Sequence, residues 1–405
     1  MSHASPTADP VSLPPAKGYA LVGGLLALAI AAGVTVVAGM VVQDRSSIDP
    51  RRLVFSYLTS LMFVTSVSVG ALAWVMLHHL TGAVWSVVIR RLLENLTRLL
   101  PWIAILFIPI ALNLNRLYPW ADPSRVAADP GLARKAVWLN PLLFSVRSAV
   151  YLVSWAVVAV LLARSSVRQD RSGDPAEGRR MRAISAWGLI VLGLTTSLAA
   201  FDWLMSLDPD WSSTIFGVYF WAGSLLSSLA ALIVTVLALR TAGWLRETIS
   251  VEHLHDLGKL LFGFVIFWAY IAFCQYFLIW YANFPEETEW YVTRRSGVWN
   301  TLSWLLVFGH FVVPFCVLLF RATKRSPFWL GFIALWILVF HYIDLYWLIM
   351  PALRPEGVVP NWLDASLLLT LVFTCGAIIA RACQARPLVP IGDPRLAESL
   401  AFHNS

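Results

Sequence analysis

Charge is what this sequence has least of. Lys, Arg, Asp and Glu together make up 13% of 405 residues, whereas 59% are hydrophobic. A water-soluble chain of this length does not have that balance. Cysteine is scarce as well. The four present, Cys274, Cys316, Cys375 and Cys383, lie in or beside apolar runs, and none belongs to a C-x-x-C pair. A disulfide framework, a zinc site, an iron–sulfur cluster and a c-type haem therefore lack support. A basic cluster suited to nucleic acid is missing too. The net charge of +7 is spread between apolar segments, as membrane-topology charges are. Nor is there a polar stretch long enough to form an inserted soluble domain.

What the chain does have is apolar runs of spanning length. Ten are predicted, at 19–42, 53–80, 84–114, 141–163, 183–206, 213–239, 256–282, 299–321, 327–350 and 365–385. The expected fold is an all-α integral membrane protein forming one membrane domain. The segment Met1 to Lys17 is polar and Pro-rich, and the run after it is too long for a signal-peptide core, so it reads as a retained first helix. Only the links Asn115–Asn140 and Arg164–Arg182 are expected to be long. Ten spans put both termini on one side. That side carries 19 Lys/Arg against 10 opposite, and 10 acidic residues against 13. This predicts that both termini are cytoplasmic.

A repeat runs through the middle of the chain. Glu94-x-x-x-Arg98-Leu-Leu in the third span matches His255-Asp-Leu-Gly-Lys259-Leu-Leu in the seventh. Asp202 precedes Pro209 by seven residues in the fifth span, and Asp344 precedes Pro351 by seven in the ninth. The pattern predicts two parallel-repeat four-helix bundles, spans 2–5 (53–206) and 6–9 (213–350), with spans 1 and 10 peripheral. A pseudo-twofold axis would then lie along the membrane normal. Paired Gly/Pro-broken spans, which mark the central site of many transporters, are not apparent.

Ionisable residues inside spans are costly and usually face the protein interior or a cavity. Here they fall in two predicted layers. The outer holds Arg147, Asp202, His341 and Asp344, with His310 nearer the middle. The inner holds His78, His79, Glu94, Arg98, His255, Asp256 and Lys259. Ser66, Thr196 and Ser227 lie between them. Arg147 keeps its charge and calls for a carboxylate, for which Asp202 is the candidate. His341 and Asp344 are three apart and share a helix face. An acid, imidazole and guanidinium layer can pass protons or hold a polar headgroup. The plainer alternative is a set of interfacial anchors, Glu94 with Arg98 and His255 with Lys259, and solvated helix ends at Asp202 and Asp344. Ligation of a b-type haem by two histidines is not favoured, because His310 and His341 differ in predicted depth.

Several segments resemble the NrfD/polysulfide-reductase membrane-subunit family, and within it the ten-helix subunits of alternative complex III, the quinol:cytochrome c oxidoreductase. They are Phe201–Gly217, His255–Thr288, His341–Pro351, and His310 with its following FVVPF, Arg321 and Lys324–Arg325. The likeness runs from the second span to the ninth and is nearer the ActF-like than the ActC-like subunit. It implies a subunit with no prosthetic group of its own and menaquinol or another quinol as substrate. The implied partners are an iron–sulfur subunit, multihaem cytochrome c subunits and a second NrfD-like subunit, in a bacterial inner membrane. The family's quinol pocket, chiefly in the first bundle, would lie near Arg147 and Asp202. A secondary transporter and a purely structural scaffold are the alternatives.

Overall fold

A computed structural model describes residues 12–42, 49–357 and 360–403. Most of the polar N-terminal segment, residues 1–11, lies outside them. Among the described residues there are helices and no strands. Ten helices are long and apolar enough to cross a membrane: α1 (Pro15–Gly39), α2 (Arg51–Thr81), α3 (Val87–Ala111), α4 (Pro141–Ser172), α5 (Pro175–Leu207), α6 (Phe216–Thr241), α7 (Val251–Ala282), α8 (Gly297–Leu319), α9 (Pro327–Ala352) and α10 (Trp362–Gln384).

Several helix ends follow from local chemistry. Proline opens α4, α5 and α9 behind Asn140, Asp174 and Ser326, whose side chains accept from backbone N–H groups of the first turn. Proline suits that position because its missing N–H has no partner there anyway. Gly82 and Gly173 stop α2 and α4 with φ of 64°, a conformation that glycine adopts without steric cost. The expected polar link Arg164–Arg182 is mostly helix. It continues α4 to Ser172 and begins α5 at Pro175, because its Arg, Gln, Glu and Ala residues favour helix and need no lipid. The acidic segment Glu286–Glu289 is also helical, within Pro285–Arg294.

The helices pack in two rings. α2 meets α3 and α5, and α4 joins α3 to α5. α6 meets α7 and α9, and α8 joins α7 to α9. α6 also lies against α2 and α5, and α9 against α2, so α2 is the centre of the molecule. Its apolar window is 89% buried, against 11% for α1, which packs along α10 at the edge. The α2–α6 seam is close. A Cβ on Gly70 would lie 2.0 Å from the Ser224 carbonyl oxygen. Small residues permit such approach between helices that gain nothing from expelling lipid. The seam's hydroxyls return to their own helices, as in Thr65 to Leu61 and Ser224 to Phe220.

Two spans are interrupted. α3 breaks at Arg98–Leu99 and again at Phe107. α8 contains a π-helical turn at Val307–Val312, just before Pro314. The proline ring would clash with the carbonyl four residues earlier, which is that of His310, and a wider turn relieves this. No paired broken spans were expected, and these two do not occupy matching places in the bundles.

Candidate functional site

The five outer residues form two sites. In the first ring, Arg147 on α4 grips Asp202 on α5 in a two-point ion pair, with Nε and Nη2 each 2.8 Å from a carboxylate oxygen. Tyr151 Oη donates to the same carboxylate at 2.8 Å. The third guanidinium nitrogen donates to the Trp138 carbonyl, and Trp138 stacks against the group at 4.2 Å. Asp202 thus accepts from three donors, two on one carboxylate oxygen and one on the other. A two-point pair of this kind holds the two helices together.

The second ring is built differently. Asp344 on α9 is 2% exposed and has no cation within ion-pair distance among the described residues. It accepts a hydrogen bond from Tyr219 on α6 and a longer one, 3.3 Å, from Trp268 Nε1 on α7. One turn back, His341 Nε2 pairs with Ser66 Oγ of α2 at 2.8 Å, and its Nδ1 has no protein partner. His310 lies on the π turn of α8, stacked on Trp268 with ring centres 4.1 Å apart, and neither ring nitrogen is bonded. The two imidazoles are 6.3 Å apart, so their expected difference in depth does not keep them apart.

Three packing details hold this group. Trp336 Nε1 donates to the Gly309 carbonyl at 2.7 Å, pinning the π turn. A Cβ on Gly309 would run into Phe340, 1.9 Å away. A Cβ on Gly223 would stand 3.0 Å from His341 Cε1. The π turn swings His310 inward, onto Trp268. No hydrogen bond or ion pair joins the Asp344 group to the Asp202 group among the described residues.

The inner residues need correction. Glu94 does not pair with Arg98. Its carboxylate meets Arg90 and Arg91 at 3.5 and 3.2 Å and accepts from Ser166 at 2.8 Å. Arg90 also bonds Asp393 of the C-terminal segment, and Arg91 bonds Asp170 of α4, each at 2.6 Å. Arg90 and Arg91 stand four and three residues before Glu94 and share its helix face; Arg98, at the break that ends this part of α3, lines a groove instead. At the base of α7 the ion pair is Asp256 with Lys259, not His255 with Lys259; two basic groups have no reason to associate. His255 is buried with Nδ1 unbonded. Lys324 donates to the Leu318 and Leu319 carbonyls at the end of α8, where a positive charge meets the negative end of a helix. Burial and then nearby Lys259 push its pKa down.

Of the hydroxyls between the layers, Ser66 serves His341, Ser227 bonds the Ser224 carbonyl, and Thr196 has no partner. Among the described residues no three His, Cys, Asp or Glu side chains come together as a metal site.

Sequence reasoning missed Arg90, Arg91, Asp170, Asp393, Tyr219, Trp268 and the Arg52–Asp364 pair, which ties α2 to α10 at 2.8 Å. It also missed Arg294, buried at the far ends of the two rings beside a cavity of about 510 Å³. Arg294 donates to the carbonyls of Trp290, Trp347 and Leu348, and burial pushes its pKa down to about 9. Burial pushes Asp208, in the same cavity wall, up. Arg90 and Arg91 were readable as an Arg pair one turn before Glu94; the others carried no local signal.

Comparison with protein-family models finds no match, and neither does comparison with curated proteins.

Proposed function

We propose that this chain is a membrane subunit of a quinol-oxidising electron-transfer complex, in which Asp344 and His341 take up a proton near the quinol. The observation that carries the reading is the pair of contrasting carboxylates. Asp202 is neutralised by Arg147, whereas Asp344 is buried against a phenol and an indole beside two imidazoles. A carboxyl without a counter-cation in such a place is poised to exchange a proton. Oxidising a quinol releases two protons with two electrons, so an acceptor near the site is chemically required.

The resemblance of Phe201–Gly217, His255–Thr288 and His341–Pro351 supports the same assignment. On this reading the electrons leave through an iron–sulfur subunit and multihaem cytochrome c subunits. The resemblance implies a bacterial inner membrane, and the distribution of basic residues supports cytoplasmic termini with the Asp344 site on the opposite side. Arg147 and Asp202 then serve as quinol-site architecture. The saturated pairing of Glu94 favours a structural role at the inner face, and any proton translocation falls to the less enclosed Asp256 and Lys259.

Purification of the tagged chain from its native membrane tests the reading. Expected is co-purification of haem, seen by absorption, with quinol-dependent reduction of an electron acceptor. An Asp344→Asn assembly should lose roughly 10²- to 10⁴-fold in turnover, the usual worth of a positioned acid or base. A chain that purifies alone, without haem or quinol oxidation, refutes it. The second reading, a secondary transporter, rests on the interruptions in α3 and α8, although transporter sites are marked by breaks in matching places of the two halves. It requires the lone chain to move a solute in proteoliposomes.

A further inference from the structure

A groove of about 640 Å³ opens toward the lipid between α1, α3, α4 and α10. Its chemistry divides sharply. Leu26 and Trp102 belong to an apolar wall, and Arg98, Arg164, Arg381 and Arg386 stand around the same space. None of the four guanidinium groups has an ion pair among the described residues, although twelve such pairs occur elsewhere. The contrast with their neighbour Arg91, which is paired twice on the protein side of α3, shows that carboxylates are within the bundle's means but absent from this groove.

Arg98 and Arg386 are half-buried, and Arg98 Nε is buried with no partner. Burial, then the like charges of Arg98 and Arg91, push Arg386 down to about 10. Four positive groups held together in that way call for an anion. The groove lies at the C-terminal end of α10, beside the break in α3 and about two turns before the end of α4. Its apolar wall runs on along α1 and α3 into the membrane.

We propose that this groove seats an anionic phospholipid, with its phosphate on the four arginines and an acyl chain along Leu26 and Trp102. A soluble anion would use the arginines but leave the apolar wall unexplained. The inference is independent of the electron-transfer reading.

Native mass spectrometry of the purified full chain, in whatever assembly it comes, tests it. The probes are phosphatidylglycerol, cardiolipin, phosphatidylcholine and inorganic phosphate. The two anionic lipids should be retained over phosphatidylcholine. Arg164→Gln and Arg381→Gln are exposed positions, and each should weaken retention about fivefold, in line with the usual worth of one basic residue at an anionic lipid surface. Arg125→Gln with Arg354→Gln on the opposite face should change nothing, which controls for net charge. The thermal midpoint of each variant without lipid confirms that it is folded. Equal retention of phosphatidylcholine, unchanged retention in the groove variants, or displacement of the lipid by millimolar inorganic phosphate overturns the proposal.

Discussion

Asp202 and Asp344 end matching helices of the two rings, each seven residues before a proline, yet one is locked to an arginine and the other is not. The first ring spends its carboxylate on holding α4 to α5. The second surrounds its carboxylate with Tyr219, Trp268 and two histidines. The difference lies in a single cation. Where a cation is present the acid serves cohesion, and where it is missing the acid remains available for protons.

The comparison can be broken most directly at Arg147. Arg147→Gln leaves Asp202 buried without its counter-charge, a loss of about 3–5 kcal/mol for a buried pair. It should appear as a large drop in the thermal midpoint of the detergent-solubilised protein. Adding Asp202→Asn should recover part of the drop, and failure to recover would show that the guanidinium acts through Trp138 instead.

A smaller effect is expected in the second ring from Gly309→Ala. It forces a methyl against Phe340 and disturbs the π turn, at roughly 1–3 kcal/mol for overpacking. The thermal midpoint of the variant in detergent checks it. Asp344→Asn should be milder still for stability, within about 1 kcal/mol, because the amide oxygen can still accept from Tyr219 or Trp268. If it unfolds the protein as badly as Arg147→Gln, the two carboxylates are equivalent and the contrast fails.

The smallest effect concerns Asp393. Burial raises its pKa, but Arg90, Arg395 and the Arg395 N–H lower it further, for a net value below the ordinary 3.8. A depressed carboxylate contributes stability above its unfolded pKa, and that contribution is lost as pH falls through the folded value. Hydrogen exchange should therefore show the segment around Asp393 loosening below about pH 4 and not between pH 5 and 8. Loosening in the neutral range would mean that the pairs with Arg90 and Arg395 do not hold it.

The ten spans were legible because apolar length is a local property, and the Arg147–Asp202 pair because an arginine inside a span has few ways to be neutralised. The joint face of His341 and Asp344 followed from helical spacing. Tyr219 and Trp268 were hidden by abundance, since 20 Trp and 11 Tyr offer no reason to choose those two. Arg52 and Asp364 each looked like an ordinary charge at a span end, and only the fold brings α10 onto α2. The pairing of Glu94 was misassigned because Arg98 fits the one-turn rule as well as Arg90 does. The stretch Val88–Leu96 reads as amphipathic, but the helix is buried on every side over Val87–Thr97, so its polar face meets protein and the pattern alone does not choose between the two arginines.

The bond from Arg90 to Asp393 spans 303 residues. At cellular synthesis rates, that separation corresponds to roughly 15 to 60 seconds of ribosome time. For that interval Arg90 sits in the membrane with Glu94 beside it and its second carboxylate still unmade. The first ring to be inserted thus waits for a partner made only after α10.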